Sequence, residues 1–163
     1  MAALTAVAVS QTTSVGMGQV TVGAHPARLV AVLGSCLGVA LYHRRLRLGA
    51  LSHVVLPDSS GREALPGKFA DTAVPHMVEL LKRQGAPTSS LVAKLAGGAC
   101  MFGATGPMQI GLANADAVRC ELKALRIPIL AEDIGGTKGR RIVFDCDSGV
   151  LTVEIAGCTP KVL

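Results

Sequence analysis

A run of 14 uncharged, mostly apolar residues extends from Leu29 to Tyr42. A helix that spans a bilayer needs about 20 such residues, so this run is too short to cross a membrane. Gly34 and Ser35 divide it into LVAVL (29–33) and LGVALYH (37–43), whose lengths and aliphatic content are typical of strands buried on both faces. The run therefore predicts two buried strands that are separated by a sharp turn.

The composition supports an aliphatic core in a single domain. Half of the 163 residues are hydrophobic, but only four are aromatic. This pattern suits sheets that are covered by helices, and the length suits one domain. The small number of aromatic residues argues against binding of single-stranded nucleic acid, which requires aromatic platforms for base stacking.

Charge and cysteine content indicate a cytoplasmic protein with reduced thiols. The net charge is +5, and its densest basic cluster, HRRLR (43–47), is more typical of a solvated turn than of a phosphate-binding surface. The five cysteines form no CxxC and no zinc pattern, so we expect neither a disulfide framework nor a metal. Residues 1–14 lack the basic start of a signal peptide, and we expect a flexible N-terminus there, followed by one domain over 15–163.

Periodicity predicts further strands and two helices. The alternation in GALSHVVLP (49–57) predicts a strand that places His53 on one side with Leu51 and Val55. Apolar residues three and four apart predict a helix over 71–84, and Asn114 is the expected N-cap of a second helix that ends before Pro128. The other expected strands are 19–22, 91–98, 127–133, 140–146 and 149–155, the last two forming a hairpin around Asp147, Ser148 and Gly149.

Cys36 and His53 are the residues whose chemistry suggests catalysis. A thiolate attacks amide carbonyls well, and near pH 7 it needs a depressed pKa, which a neighbouring imidazole supplies. Gly34 and Ser35 permit a sharp turn before Cys36 and leave main-chain N–H groups that could stabilise an oxyanion. Spacing alone nevertheless favours the simpler interpretation, in which Cys36 is an inert buried thiol and His53 a structural residue.

The sequence as a whole resembles the chemoreceptor glutamine deamidase family, CheD. The resemblance runs along nearly the whole chain in seven collinear blocks: VGMGQ (15–19), LGSCLGVALYH (33–43), GALSHVVLP (49–57), GKFADTAVPHM (67–77), KLAGGACMF (94–102), IGLAN (110–114) and ILAEDIGGTKGRRIVFD (129–145). It implies an α/β (α+β) fold with a β-sandwich-like core and flanking helices, as in the cytotoxic necrotizing factor toxins. It also implies hydrolysis of glutamine side chains on methyl-accepting chemotaxis receptors, with Cys36 as nucleophile, His53 as base and no cofactor.

The resemblance further implies a partner of the CheC type, a phosphatase that acts on phosphorylated CheY. One departure concerns the site itself: the family's catalytic threonine, thought to orient the imidazole, corresponds to Val30. A backbone carbonyl, a water or Ser52 could replace it. Leu112 and Ala113 stand where the family usually has Glu-Arg, and Cys100 replaces a polar or small residue. Two hypotheses therefore remain: an active cysteine amidohydrolase, or a CheD-like module that docks on receptors or a CheC-type partner with little or no hydrolysis.

Overall fold

The protein, represented by a computed structural model, is described over residues 9–102 and 109–163. The strands are Thr12–Ser14 (β1), Val20–Ala24 (β2), Arg28–Leu33 (β3), Leu37–His43 (β4), Leu48–Val54 (β5), Val92–Gly97 (β6), Ile129–Ile134 (β7), Arg140–Asp145 (β8), Leu151–Glu154 (β9) and Lys161–Val162 (β10). The helices are Ala70–Arg83 (α1) and Ile110–Ala124 (α2), with a 3₁₀ turn at Thr88–Ser90.

The strands form two five-stranded sheets, and the helices cover one of them. Sheet 1 has the order β1-β3-β8-β9-β10, and sheet 2 has the order β2-β5-β4-β6-β7. Both helices pack on the same face of sheet 2, whose other face packs against sheet 1. The expected α/β (α+β) class is thus confirmed, as three layers with β4 at the centre of sheet 2.

Two aliphatic cores separate these layers. Alternate residues of β4 point in opposite directions, so that Leu37, Val39 and Leu41 meet the helices while Ala40 and Tyr42 face sheet 1. This alternation explains why the strand carries almost no polar residue, since both of its faces are buried. Cys36 and His53 lie at one end of the inter-sheet layer.

Several elements differ from those expected. Strand 37–43 and the β8–β9 hairpin are confirmed, but α2 begins at Ile110, so Asn114 lies in its second turn and is not an N-cap. Thr12–Ser14 pair with β3, although they fall within the segment 1–14 that was expected to be flexible; residues 1–8 of that segment lie outside the described residues. Strands β1 and β10 were not predicted because three and two residues are too few to show alternation.

The early start of α2 depends on a close contact between two glycines. A Cβ atom on Gly111 would overlap the carbonyl oxygen of Gly98, at the end of β6. Because neither residue has a side chain, the first turn of α2 can rest directly on this backbone.

Of the helices in the described ranges, none combines the length and apolarity needed to cross a membrane.

Candidate active site

The pairing of β4 with β5 places Cys36 and His53 on the same face of sheet 2. Gly38 pairs with His53, and Cys36 precedes Gly38 by two residues, so both side chains point toward sheet 1 as diagonal neighbours. Both residues are buried, with 9% and 5% of their surface exposed. Among the described contacts there is no hydrogen bond between the thiol and the imidazole, and such bonds often form only when substrate binds.

His53 is held by the segment that precedes β2. Its Nδ1 lies 3.1 Å from the carbonyl oxygen of Val15. A carbonyl only accepts, so a neutral imidazole must carry its proton on Nδ1 and leave Nε2 as a free base. The main chain of His53 is also bonded to this segment, donating to Gln19 O (3.1 Å) and accepting from Gly18 N (2.9 Å).

Val30 acts on this arrangement through its backbone and not through its side chain. Its side chain lies on the outer face of sheet 1 with Thr12 and Thr152, whereas His53 faces the inner layer. The Val30 carbonyl, however, accepts a 2.7 Å bond from Val15 N. Ser52 points to the helix side of β5, so of the groups proposed to orient His53 it is a backbone carbonyl that contacts the ring.

The turn before Cys36 is fixed by its carbonyl groups. Gly34 O accepts from Ala99 N at 3.0 Å, and Cys36 O accepts from Gly98 N at 2.9 Å. In the described part of the chain, neither the N–H of Ser35 nor that of Cys36 donates a hydrogen bond. These two donors therefore remain available to an oxyanion beside the thiol.

Asn114 lies beside the turn that carries Cys36, a position that its expected role as a helix N-cap did not predict. It is fully buried, and its Nδ2 donates to Val55 O at 3.0 Å and to Ser35 O at 3.4 Å. The available signal was its spacing: Asn114 precedes the buried Val118 and Leu122 by four and eight residues, so it lies on the apolar face of α2. A polar residue on such a face must find partners, which here are carbonyl groups of the site.

Burial disfavours the charged forms of both the thiol and the imidazole. It raises the pKa of the Cys36 thiol. It also lowers the pKa of His53, although the hydrogen bond to Val15 acts in the opposite direction. Both directions favour a thiol beside a neutral imidazole in the resting site, whereas a thiolate near pH 7 needs a depressed thiol pKa.

Two apolar surfaces flank the site. One groove is lined by Met17, Val55, Leu65 and Lys68, and adjoins His53 through Gly18. A second is lined by Ser35, Ala99, Met101, Phe102 and Leu112. Phe102 is 97% exposed and Leu65 is 56% exposed, which is unusual for residues of this size.

A buried ion pair supports the loop beside the second groove. Arg140, which is 3% exposed, binds the Asp133 carboxylate at 2.6 Å and also donates to the main-chain oxygens of Asp133 in β7 and of Gly135 in the β7–β8 loop. That loop accepts a 2.8 Å hydrogen bond from Cys100 N at Gly136 O.

Within residues 9–102 and 109–163, no group of three or more His, Cys, Asp and Glu side chains is arranged to hold a metal ion.

A buried cysteine and histidine on one face, beside a turn with unused N–H donors, form a candidate site of the cysteine hydrolase class. Residues 55–155 match the family model described as CheD chemotactic sensory transduction. The chain is 44% identical over 153 residues to a "Probable chemoreceptor glutamine deamidase CheD" of Clostridium botulinum strain Hall, covering 90% of this chain and 94% of the relative. It is 44% identical over 144 residues to the "Chemoreceptor glutamine deamidase CheD" of Thermotoga maritima, covering 88% and 91%. The protein belongs to the CheD family, as its sequence blocks predicted.

Proposed function

We propose that this protein is a chemoreceptor glutamine deamidase, which hydrolyses glutamine side chains of methyl-accepting receptors to glutamate and ammonia in the cytoplasm. The names of its relatives support the reaction. The observation that carries the assignment to this site is the contact between His53 Nδ1 and Val15 O, because it leaves Nε2 unprotonated on the face that Cys36 shares.

In the first half-reaction, Cys36 Sγ attacks the carboxamide carbon as His53 Nε2 takes the thiol proton. The carbonyl electron pair moves to oxygen, where the N–H groups of Ser35 and Cys36 stabilise it; Gly34 permits the turn that presents them. His53 then gives its proton to the leaving nitrogen. Ammonia departs, and a γ-glutamyl thioester of Cys36 remains.

In the second half-reaction, His53 Nε2 removes a proton from water, which attacks the thioester carbon. The same donors stabilise the second oxyanion; the C–S bond then breaks, the departing Cys36 Sγ takes the proton back from His53 Nε2, and glutamate is released. Atoms and charges balance with water as the only co-reactant, so these steps require no cofactor.

The two apolar surfaces suit a receptor segment that carries the target glutamine. The groove of Met17, Val55 and Leu65 lies on the His53 side, and the surface of Met101, Phe102 and Leu112 lies on the Ser35 side. A helix lying across both would bury apolar side chains on each side of the glutamine. Lys68 at the rim of the first groove suits the acidic side chains that deamidation produces.

We also propose a second partner, a fold relationship and a domain organisation for this protein. We expect a CheC-type phosphatase as a second partner, a kinship of the two-sheet fold with the cytotoxic necrotizing factor toxins, and one functional domain. The docking-only alternative was motivated by Val30, but the Val30 side chain lies on the opposite face of sheet 1 from His53, so its lack of a hydroxyl does not favour that alternative.

The test is mass spectrometry of a cytoplasmic receptor fragment after incubation with wild type, Cys36→Ala and Cys146→Ala. Each deamidated glutamine gains about 1 Da, which we expect with wild type and with Cys146→Ala but not with Cys36→Ala. Cys146 is a matched control because it is fully buried, and desolvation together with Asp145 raises its pKa to about 12. Deamidation by a folded Cys36→Ala variant at the wild-type rate would contradict the assignment.

A further inference from the structure

The carbonyl groups of the turn before Cys36 are held by three donors from outside it. Those of Gly34 and Cys36 accept from the main-chain N–H groups of Ala99 and Gly98. That of Ser35 accepts from a side chain, Asn114 Nδ2, at 3.4 Å. The orientation of the Ser35–Cys36 peptide therefore depends on one side chain that can be changed by mutation.

Peptide planarity transmits this contact to the site. In a trans peptide the C=O and the following N–H point in opposite directions within one plane. Within residues 9–102 and 109–163, the one cis peptide bond is that between His25 and Pro26. The Ser35–Cys36 peptide bond is therefore trans. Holding Ser35 O toward α2 consequently aims the Cys36 N–H away from α2, where it donates to no group in the described ranges.

Asn114 is itself fixed in place and in orientation. It is fully buried on α2, whose first turn is held against β6 by the Gly98–Gly111 contact. Its Nδ2 also binds Val55 O at 3.0 Å, one residue beyond the Val54 that pairs with Leu37. Both partners are acceptors, so the NH₂ end must face them; Oδ1 has no partner in the described part of the chain.

We propose that Asn114 is a positioning residue that aligns the Ser35–Cys36 peptide, so that the Cys36 N–H stabilises the oxyanion formed at the attacked carbonyl. The inference rests on the proposed function, because that reaction passes through such an oxyanion. In the step concerned, the Sγ–C bond forms, the carbonyl electron pair moves to oxygen and the thiol proton moves to His53 Nε2. Asn114 acts through Ser35 and does not touch the reacting atoms.

Two electrophiles separate alignment from a purely structural role. Acylation of Cys36 by p-nitrophenyl acetate passes through a tetrahedral oxyanion, whereas alkylation by iodoacetamide displaces iodide at a saturated carbon and forms none. Both rates are measured by mass spectrometry of the Cys36 peptide in wild type, Asn114→Ala and Asn114→Leu. The Leu variant keeps most of the side-chain volume but removes the donor, so it serves if the Ala variant does not fold.

The expected result is an acylation rate reduced by about 10- to 100-fold with an alkylation rate within about threefold of wild type, since oxyanion donors act only on the first reaction. Val118→Ala is the matched control: it truncates a fully buried side chain one turn along α2 that has no hydrogen-bond donor to offer Ser35. We expect both of its rates to stay at the wild-type level. Equal losses in both reactions for the Asn114 variants, or unchanged acylation in folded variants, would overturn the inference.

Receptor deamidation by wild type is measured in parallel. A wild-type protein that is acylated at Cys36 but deamidates no receptor would contradict the proposed function. The ratio of the acylation and alkylation rates would still decide the role of Asn114, so the two failures are distinguishable.

Discussion

The Nδ1 atom of His53 lies 3.1 Å from the carbonyl oxygen of Val15, 38 residues earlier in the chain. Val15 N in turn donates to the carbonyl of Val30, on the neighbouring strand of sheet 1. The imidazole is thus oriented through a relay of main-chain groups. Such a relay does not depend on the side chain at position 30, so a valine there is compatible with a correctly oriented base.

This relay predicts that a threonine at position 30 brings no large gain in activity. The hydroxyl introduced by Val30→Thr would lie on the outer face of sheet 1, away from His53. We expect kcat of the Val30→Thr variant to stay within about threefold of wild type, well below the roughly 100-fold effects of acid–base groups. A gain of about 100-fold or more in receptor deamidation would show that a side-chain hydroxyl orients the imidazole after all.

The pKa of His53 predicts the acid limb of the pH–activity profile. Burial lowers this pKa below its ordinary value of 6.5, and a protonated imidazole cannot take the thiol proton. We therefore expect kcat/KM to fall with decreasing pH only below 6.5. The measurement is the rate of ammonia release between about pH 5 and 8; an acid limb centred above 6.5 would contradict the predicted direction.

The raised pKa of Cys36 predicts slow alkylation at neutral pH. The thiol should titrate above its ordinary value of 9.0, because burial disfavours the thiolate. We expect the rate at which iodoacetamide alkylates Cys36 to keep rising as the pH approaches and passes 9.0. The exposed Cys158 serves as the internal reference. A plateau reached well below about pH 8 would instead reveal a preformed thiolate–imidazolium pair. Slow alkylation is compatible with catalysis, since the proton can move to His53 as the substrate is attacked.

His53 also predicts a pH dependence of stability. Its pKa is lower in the folded state, so the unfolded chain binds the proton more readily. Its favourable contribution is complete above pH 6.5 and decreases as the pH falls through the folded pKa. We expect the free energy of unfolding, from urea titrations, to decrease more between about pH 7.5 and 5 for wild type than for His53→Gln. Equal decreases would show that the imidazole is not desolvated.

The exposed Leu65 predicts a loss of receptor affinity when it is charged. If the groove beside His53 binds the receptor, Leu65→Glu should raise KM by roughly tenfold with kcat nearly unchanged, because about 1–2 kcal/mol of apolar burial is lost. Leu130→Glu is the matched control, since Leu130 is 59% exposed on β7, near the end of sheet 2 that lies away from Cys36. Equal effects of both variants would exclude this groove as the docking surface.

Local patterns in the sequence determined the strands and the candidate pair, since each pattern reflects which side of a strand or helix is buried. The uncharged run from Leu29 to Tyr42 predicted β3, the turn and β4, and alternation placed His53 on one side of β5. The sequence blocks alone were also sufficient for the family, which the relatives confirm. Asn114 shows where local reasoning failed, because a preference for helix starts carries no information about two glycines that meet across layers.

The way in which Cys36 and His53 are held follows from long-range contacts, which no local pattern in the sequence encodes. The contacts of His53 with Val15 and of Asn114 with Ser35 join residues 38 and 79 positions apart, through main-chain carbonyls that every residue possesses. Such contacts leave no mark in the residue types of the acceptors. They arise because the two sheets and α2 converge at one end of β4, where burial favours the pairing of donors such as His53 Nδ1 and Asn114 Nδ2 with nearby carbonyl groups.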